Sequence, residues 1–574
     1  MTQRGKERKE LKRLAIASAT FLSAVFALHN VAVIYSGNSE SFSFGLKHIF
    51  LVALAAFVVT ALVLSFPAVV LRNAPLRVYA YSLCFLAAAA WIYSGFLVWD
   101  FGHLDGGGWD FSKFDKFRFY EISGLIAAWF AFYKVVVNGP RVFTYLFLFL
   151  NLALTVPTAL ALVRDPNQSS LQPRSNLEAI FRFSRQQNVL IVLMDAFQSD
   201  LFDDLLKENS SLAKAFTGFT YFPDTVGVAA STYLTLPSIH SGQIYQAGMN
   251  LREFYAKNIR EGSFLNDLAA AGHEVTLVNP IQGECPQLIE LCIESDEVLH
   301  GKGWALLMET ASLLDLSLLR MVPLFYKKAV YNEQFWVIAP LARAQLGQLD
   351  RNQPEHVAAN RVLEKIAAQG GSTGDRPVTK FIHLLSTHPP YVLDSACQVR
   401  GDSVPDRRVA ARLQAKCAVE AFSQLLDYLR REGLYDRSLI LLIADTGAGL
   451  TSSYAARDPK APMWGRLVGR ANPIFLAKPP GAEGALRQSA ANVQPSDLAA
   501  TVCAIVRHCH DHDGISVFST MAMAKRSRIF RHYTWRNVYW NLDALTDIRE
   551  FEVEGPVWER QSWTNYTQSD RGRF

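Results

Sequence analysis

Five long apolar runs, all within the first 165 residues, constrain this chain more than any other feature. The stretches at about 14–36, 48–71, 78–99, 118–138 and 142–163 each supply the roughly 20 mostly apolar residues that a helix needs to cross a ~30 Å hydrocarbon layer. The first is too long for the apolar part of a signal peptide, and more spans follow it, so no cleavage is expected. Charge sets the orientation. Arg4, Lys6, Arg8, Lys9, Lys12 and Arg13 precede the first run, and the turns at 72–77 and 134–141 are also basic. Basic flanks stay in the cytoplasm. With five spans, everything beyond about residue 165 is then expected outside.

Composition agrees with that division. Of 574 residues, 50% are hydrophobic and 19% charged, with a formal net charge of +5. This excludes a disordered chain and a strongly basic nucleic-acid binder, so no nucleic-acid partner is expected. Mean hydropathy of +0.10 averages a membrane region with a water-soluble one. Of seven cysteines, Cys84 stands alone in the third run. The others fall in near pairs, Cys285 with Cys292, Cys397 with Cys417 and Cys503 with Cys509, expected as three disulfides of an exported domain. Six buried free thiols are the alternative. In the loop at 100–117, Asp100, Asp105, Asp110 and Asp115 recur at every fifth residue. That fits neither helix nor strand, and a solvated loop with interfacial aromatics is expected rather than a cation or headgroup site.

The expected organisation is a transmembrane domain of five helices at 1–165, a polar linker ending in a short helix at 166–187, and an exported domain at 188–574 with a core at 188–520 and an extension at 521–574. Short apolar runs at 188–195 (NVLIVLMD), 274–280 (EVTLVNP), 380–386 (KFIHLLS), 438–445 (SLILLIAD) and 472–478 (NPIFLAK) alternate with helical stretches, including 354–368 and 408–432, the latter closed by Gly433. Continuously apolar strands are buried on both faces. The fold class is therefore α/β, a doubly wound, mainly parallel sheet. At 304–328 an apolar stretch carries Glu309, Asp315 and Arg320, each costly at a bilayer centre. It is expected as a helix against the exported domain or the membrane surface, or as plain core packing.

Ligands of open α/β sheets bind beyond the carboxyl ends of the strands. Asp195 and Asp445 end two of these strands, and Thr387 and His388 follow a third. Two carboxylates and an imidazole from separate strands favour a metal or phosphate site. The segment 231–242 (STYLTLPSIHSG) would place a hydroxyl at a helix amino end, where backbone N–H groups stabilise an anion. A Ser/Thr cap without chemistry is the alternative. His240 lies eight residues past Thr232, about 12 Å along a helix, and should point away. The tract RHCHDHD, with His508, His510 and His512, has the composition of a metal site, but a solvated loop is expected.

The region 188–520 resembles the alkaline phosphatase/sulfatase superfamily, and with its five-span anchor is most similar to bacterial phosphoethanolamine transferases and lipoteichoic acid synthases. NVLIVLMD resembles the strand ending in a metal-binding acid, which implies Asp195; STYLTLP resembles the nucleophile segment, which implies Thr232. LYDRSLILLIADTG resembles the strand leading to a D-H-G motif, with Asp445 as ligand, and HLLSTHPPY resembles the segment whose His holds the substrate phosphate, here His388. The tail DIREFEVEGPVWERQSW is similar to the end of membrane-anchored sulfatase-like proteins.

Two departures bear on chemistry. Thr232 is not in the C/S-x-P-x-R context that sulfatases convert to formylglycine, which disfavours sulfate-ester hydrolysis. The D-H-G motif reads Asp445-Thr446-Gly447, and residues 448–470 contain no histidine. Thr446 is a weak ligand where the family has imidazole. Asp195, Thr232, Asp445 and Thr446 form an oxygen-only set, suiting one divalent Mn, Mg or Ca rather than Zn, or none. The resemblance implies transfer of a phospho-substituent from a membrane phospholipid to an envelope glycan or lipid at the bacterial inner membrane, on its periplasmic or extracellular side. A phosphoester hydrolase and a degenerate, metal-free binding or assembly subunit are the alternatives.

Overall fold

All five apolar runs form helices long and apolar enough to cross a membrane: α1 (Gly5–Gly37), α2 (Leu46–Val70), α3 (Asn73–Gly95), α4 (Phe111–Asn138) and α5 (Pro140–Arg164). In α1, 61% of the most apolar window is buried, against 11% in α2 and 6% in α4, so α1 is the helix around which the others gather. The outward faces are apolar. Leu62, Phe66, Phe119 and Leu152 are 66–73% exposed, a belt that matches lipid rather than water.

The computed structural model describes residues 3–39, 42, 44–99, 101, 111–164, 177–278, 285–289, 291–332, 336–345, 355–399, 406–455, 462–506, 509–519, 525–533, 544–545 and 548–564. Asp100, Asp105, Asp110 and His508 lie outside these residues. Contacts divide the chain into two units, Met1–Gln172 with Lys302–Asn352, and Pro173–Gly301 with Gln353–Phe574. The segment around 304–328 thus packs within the first unit. Its helix Lys302–Met321 lies on α1, α2 and α3, with Thr310, Leu313, Asp315 and Ser317 buried. Burial is tolerable because its polar side chains find backbone partners: Glu309 accepts from Phe44 N at 3.3 Å, and Asp315 from Val337, Ile338 and Ala339 N at 2.7–3.0 Å.

In the second unit the five expected strands all form, with ends shifted by a few residues. The main sheet contains β1 (Asn188–Met194), β2 (Thr220–Tyr221), β3 (Glu274–Val278), β4 (Leu291–Ile293), β5 (Val378–Leu384), β6 (Ser438–Ile443), β7 (Phe475–Lys478) and β8 (Arg487–Gln488). Their order is β8-β2-β7-β6-β1-β5-β3-β4. β1, β3, β4, β5 and β6 run parallel to one another, while β7 is antiparallel to both β6 and β2. Every residue of β1, β5 and β6 is buried, which is why these segments are mostly apolar, with Lys380 and His383 of β5 as buried exceptions. Helix Arg407–Arg431 covers one face, started by Asp406, whose carboxylate accepts from Arg408 and Val409 N, and followed by Gly433 at φ +66°. A three-stranded sheet, β9 (Arg528–His532), β10 (Arg549–Val553) and β11 (Trp563–Thr564), is built from the described part of the 521–574 extension. The six paired cysteines form the three disulfides expected, and Cys84 is free and buried.

Candidate functional site at the carboxyl ends of the central strands

The register of the three central strands decides what meets at their carboxyl ends. Leu193 of β1 is level with His383 of β5 and with Ile443 of β6. Side chains alternate between faces along a strand. His383 therefore shares a face with Leu193, and Asp195 and Asp445, two residues beyond their level partners, project on that same face. The short helix Thr232–Ser241 packs there, with Leu234, Leu236 and Ile239 in one apolar cluster with Leu193 and Ile443. Its first residue is Thr232. The pleat thus brings Asp195, His383 and Asp445 to one place, and the packed helix adds Thr232.

Thr232 Oγ1 donates a 2.6 Å hydrogen bond to Asp445 Oδ2, and the Ala196 amide donates to Asp445 Oδ1 at 3.2 Å. Ala196 sits at φ +59°, a left-handed conformation that costs a non-glycine residue about 1 kcal/mol and collects at functional sites. His383 Nε2 stands 3.6 Å from Asp195 Oδ2, both side chains being buried. The two aspartates interact closely, with opposite results. Burial pushes Asp445 up to about 6, helped by the Asp195 charge. Burial would raise Asp195 as well, but His383 and His388 hold its carboxyl below the ordinary range. The pair is a site of negative charge, with imidazole on one side and a hydroxyl on the other.

His388 follows β5 at the same end of the sheet. Its Nδ1 lies 2.7 Å from the Pro389 carbonyl, and Gln414 Nε2 donates to its own carbonyl at 3.0 Å, although its charge is felt at Asp195. Thr387 hydrogen-bonds the Asp195 carbonyl at 2.7 Å. Thr446 is buried directly behind Asp445. Gly447 is required by close packing, since a Cβ there would stand 1.8 Å from the Gly469 carbonyl oxygen. His240 turns away as anticipated, into contact with Ser263 Oγ at 2.8 Å. His510 Nδ1 and His512 Nε2 each approach one oxygen of Asp267 at 2.7 Å.

Two residues at the site escape sequence reasoning. His383 lies inside an apolar strand, where a lone histidine reads as core. Arg470 lies at the end of the helix Pro462–Ala471. A Cβ at Gly449 would be 3.1 Å from Arg470 Nε and Nη2, which fixes the guanidinium against the loop leaving Asp445. It has no hydrogen-bond or ion-pair partner among the described residues. Its charge acts on Tyr391, which also feels Asp195 and is pushed by burial up to about 12. It acts on His532 too, which burial, Arg470 and Arg549 together push down to about 4. The loop itself is held in place from below. Leu450 N donates to Gln198 Oε1 at 3.1 Å, and Asp200 accepts from Ser453 and pairs with Arg408 at 2.9 Å.

The resemblance implies a divalent metal, and the donors here test that expectation. Both oxygens of Asp445 already accept from the chain, Asp195 faces His383, and Thr446 offers a neutral hydroxyl. Among the described residues no group of three or more His, Cys, Asp and Glu side chains has the arrangement of a metal site. The donor set does not fit a resident metal of the zinc type.

No family model matches the chain, and no curated protein does. Among solved structures it is similar to an alkaline phosphatase superfamily protein from Vibrio parahaemolyticus, at 12% identity over 68% of this chain and 83% of that one, TM-score 0.40. It is similar to the lipoteichoic acid synthase LtaP from Listeria monocytogenes, at 11% identity over 62% and 80%, TM-score 0.37. It is also similar to the C-terminal periplasmic domain of EptC from Escherichia coli, at 9% identity over 61% and 92%, TM-score 0.35. At such scores the likeness is one of backbone, and the chemistry has to come from the side chains.

Proposed function

We propose that the second unit handles phosphoesters on the exported side of a membrane, with Thr232 accepting a phospho-substituent from a membrane phospholipid and passing it to an envelope glycan or lipid. The observation that carries this reading is the 2.6 Å hydrogen bond from Thr232 Oγ1 to Asp445 Oδ2. It supports a hydroxyl whose proton has a buried acceptor already in place. In this reading the Thr232 oxygen attacks phosphorus and its proton passes to Asp445. The donor's alcohol leaves with a proton, and a substituted phosphate stays on Thr232. An acceptor hydroxyl then attacks the same phosphorus and frees Thr232. The Arg470 guanidinium, without a partner among the described residues, and the amino end of helix Thr232–Ser241 would neutralise the non-bridging oxygens. A cation entering here would meet the oxygens of Asp195, Asp445 and Thr446 with only the His383 imidazole beside them, which favours Mg, Mn or Ca over Zn; no step of this reading needs one.

The anchor in this reading is 1–165, joined through 166–187 to the exported domain at 188–574, with the segment Lys302–Asn352 returning to the anchor. The basic stretches at 4–13, 72–77 and 134–141 support a cytoplasmic-membrane protein with that domain outside. A second reading, a binding or assembly subunit that holds the same anionic group without turnover, is favoured by Thr446 standing where the family has its metal-binding histidine. The test is turnover of a chromogenic phosphodiester, and of phospholipid donors, by the purified full chain. Thr232→Ala should lower the rate by about 10²-fold or more. An unchanged rate would remove Thr232 from the chemistry, and no turnover by the unmodified chain would leave the binding reading.

A further inference from the structure

Within the first unit, helix Lys302–Met321 brings one cation that its surroundings do not balance. Glu309, Asp315 and Ser317 each have a backbone partner, Ser317 Oγ donating at 2.6 Å to the Phe26 carbonyl in the π-helical turn Val25–His29 of α1. Arg320 differs. Its Nε donates to the Ser94 carbonyl at 2.6 Å, but its two terminal nitrogens have no partner among the described residues, and no carboxylate among those residues acts on it. His29 lies within reach of the Arg320 charge, and its buried Nδ1 has no hydrogen-bond partner. Glu121, an acid of α4, is already occupied by Tyr93 Oη at 2.8 Å and by Leu324 N at 2.9 Å.

The depth of this cluster follows from helix geometry. His29 is sixteen residues past Arg13 on α1, and Ser94 is seventeen past Arg77 on α3. At 1.5 Å per residue these are about 24 and 26 Å from the two basic flanks. Two helices independently put Arg320 near the far edge of a ~30 Å hydrocarbon layer, at headgroup level. The adjoining surface is apolar, with Ile92 43%, Phe96 71% and Leu97 47% exposed. An unpaired guanidinium, an imidazole with a vacant nitrogen and an apolar flank complement one kind of molecule, a phosphate carrying acyl chains.

We infer that Arg320 and His29 form a binding site for the phosphate of an anionic phospholipid in the exported leaflet, with Ile92 and Phe96 bordering its acyl chains. The site does not depend on Thr232 chemistry; it depends on the orientation proposed above. The experiment uses the full chain, delipidated in detergent, and native mass spectrometry with three probes: dioctanoyl phosphatidylglycerol, dioctanoylglycerol and inorganic phosphate. The phospholipid should be retained, and the neutral diacylglycerol and free phosphate should not be at equal concentration. Arg320→Gln should weaken retention about tenfold or more, the scale of a charged hydrogen bond, and Arg320→Lys should keep most of it. Should Arg320→Gln fail to fold by thermal unfolding, His29→Leu serves, with a smaller loss expected. Equal retention of diacylglycerol would reduce the site to apolar contact, and equal retention of free phosphate would make it an ion site. Undiminished phospholipid binding by folded Arg320→Gln, or by His29→Leu where it is the variant used, would also overturn the inference.

Discussion

Asp224 and Asp445 are both buried in the second unit, 6% and 0% exposed, and burial raises the pKa of each, yet their partners differ. Asp224 meets the fully buried Arg528 at 3.3 Å, and its other oxygen accepts from Val557 N at 2.7 Å. Arg528 also donates to the Asp224 and Gly555 carbonyls. Asp445 meets a hydroxyl, one amide and the second carboxylate, Asp195. The first arrangement ties the extension sheet to the core with charge balanced inside the fold. The second concentrates negative charge and leaves it to be balanced from outside. A buried acid with a built-in counter-charge is a fastening, whereas one placed beside another acid is a site.

The largest effect that would test this contrast is on the fastening. Arg528→Ala strands the Asp224 carboxylate in the interior and should destabilise the second unit by about 3–5 kcal/mol. Thermal unfolding measures it, and a loss below about 1 kcal/mol would mean that Asp224 is not held as described.

Asp445→Asn should act in the other direction. Because the folded state raises the Asp445 pKa to about 6, it binds this proton more tightly than the unfolded chain does. The contribution of Asp445 to stability therefore falls as pH rises from about 4 through 6. The asparagine variant lacks that loss. Denaturant titrations should find it about 3 kcal/mol more stable than the unmodified protein at pH 8, with the gap closing below pH 4. A variant less stable at pH 8 would mean that the carboxylate pair carries no unfavourable charge.

Metal affinity is the smallest of the three expected effects on stability and the sharpest on chemistry. The purified protein should hold little zinc by elemental analysis, and Thr446→His should raise zinc affinity, since an imidazole would join Asp195 and Asp445 at the same strand end. Stoichiometric, chelator-resistant zinc in the unmodified protein would contradict the poor fit of these donors to zinc.

Most of the sheet was legible because its central strands are buried on both faces and therefore written as apolar runs. Asp195 and Asp445 were legible as acids that end such runs, and Thr232 as a hydroxyl opening a helix. His383 was not, because a single histidine among the apolar residues of KFIHLLS looks like a tolerated core position; only the level pairing with Leu193 brings it to Asp195. Arg470 was hidden because its place depends on the glycine at 449, some twenty residues earlier in the chain. The return of Lys302–Asn352 to the first unit was equally hidden. Glu309 and Asp315 make that helix look unfit for an apolar setting until the amides of Phe44, Val337, Ile338 and Ala339 are found beside them.

The central claim is that the Asp445 site activates Thr232 toward phosphorus, and a covalent adduct tests it most directly. The full chain would be incubated with a phospholipid or chromogenic phosphodiester, quenched in acid and mapped by peptide mass spectrometry. The account predicts a substituted phosphate on the peptide carrying Thr232, lost in Thr232→Ala and reduced in Asp445→Asn. Turnover of the diester with the adduct on another residue, or unchanged adduct in Asp445→Asn, would contradict it.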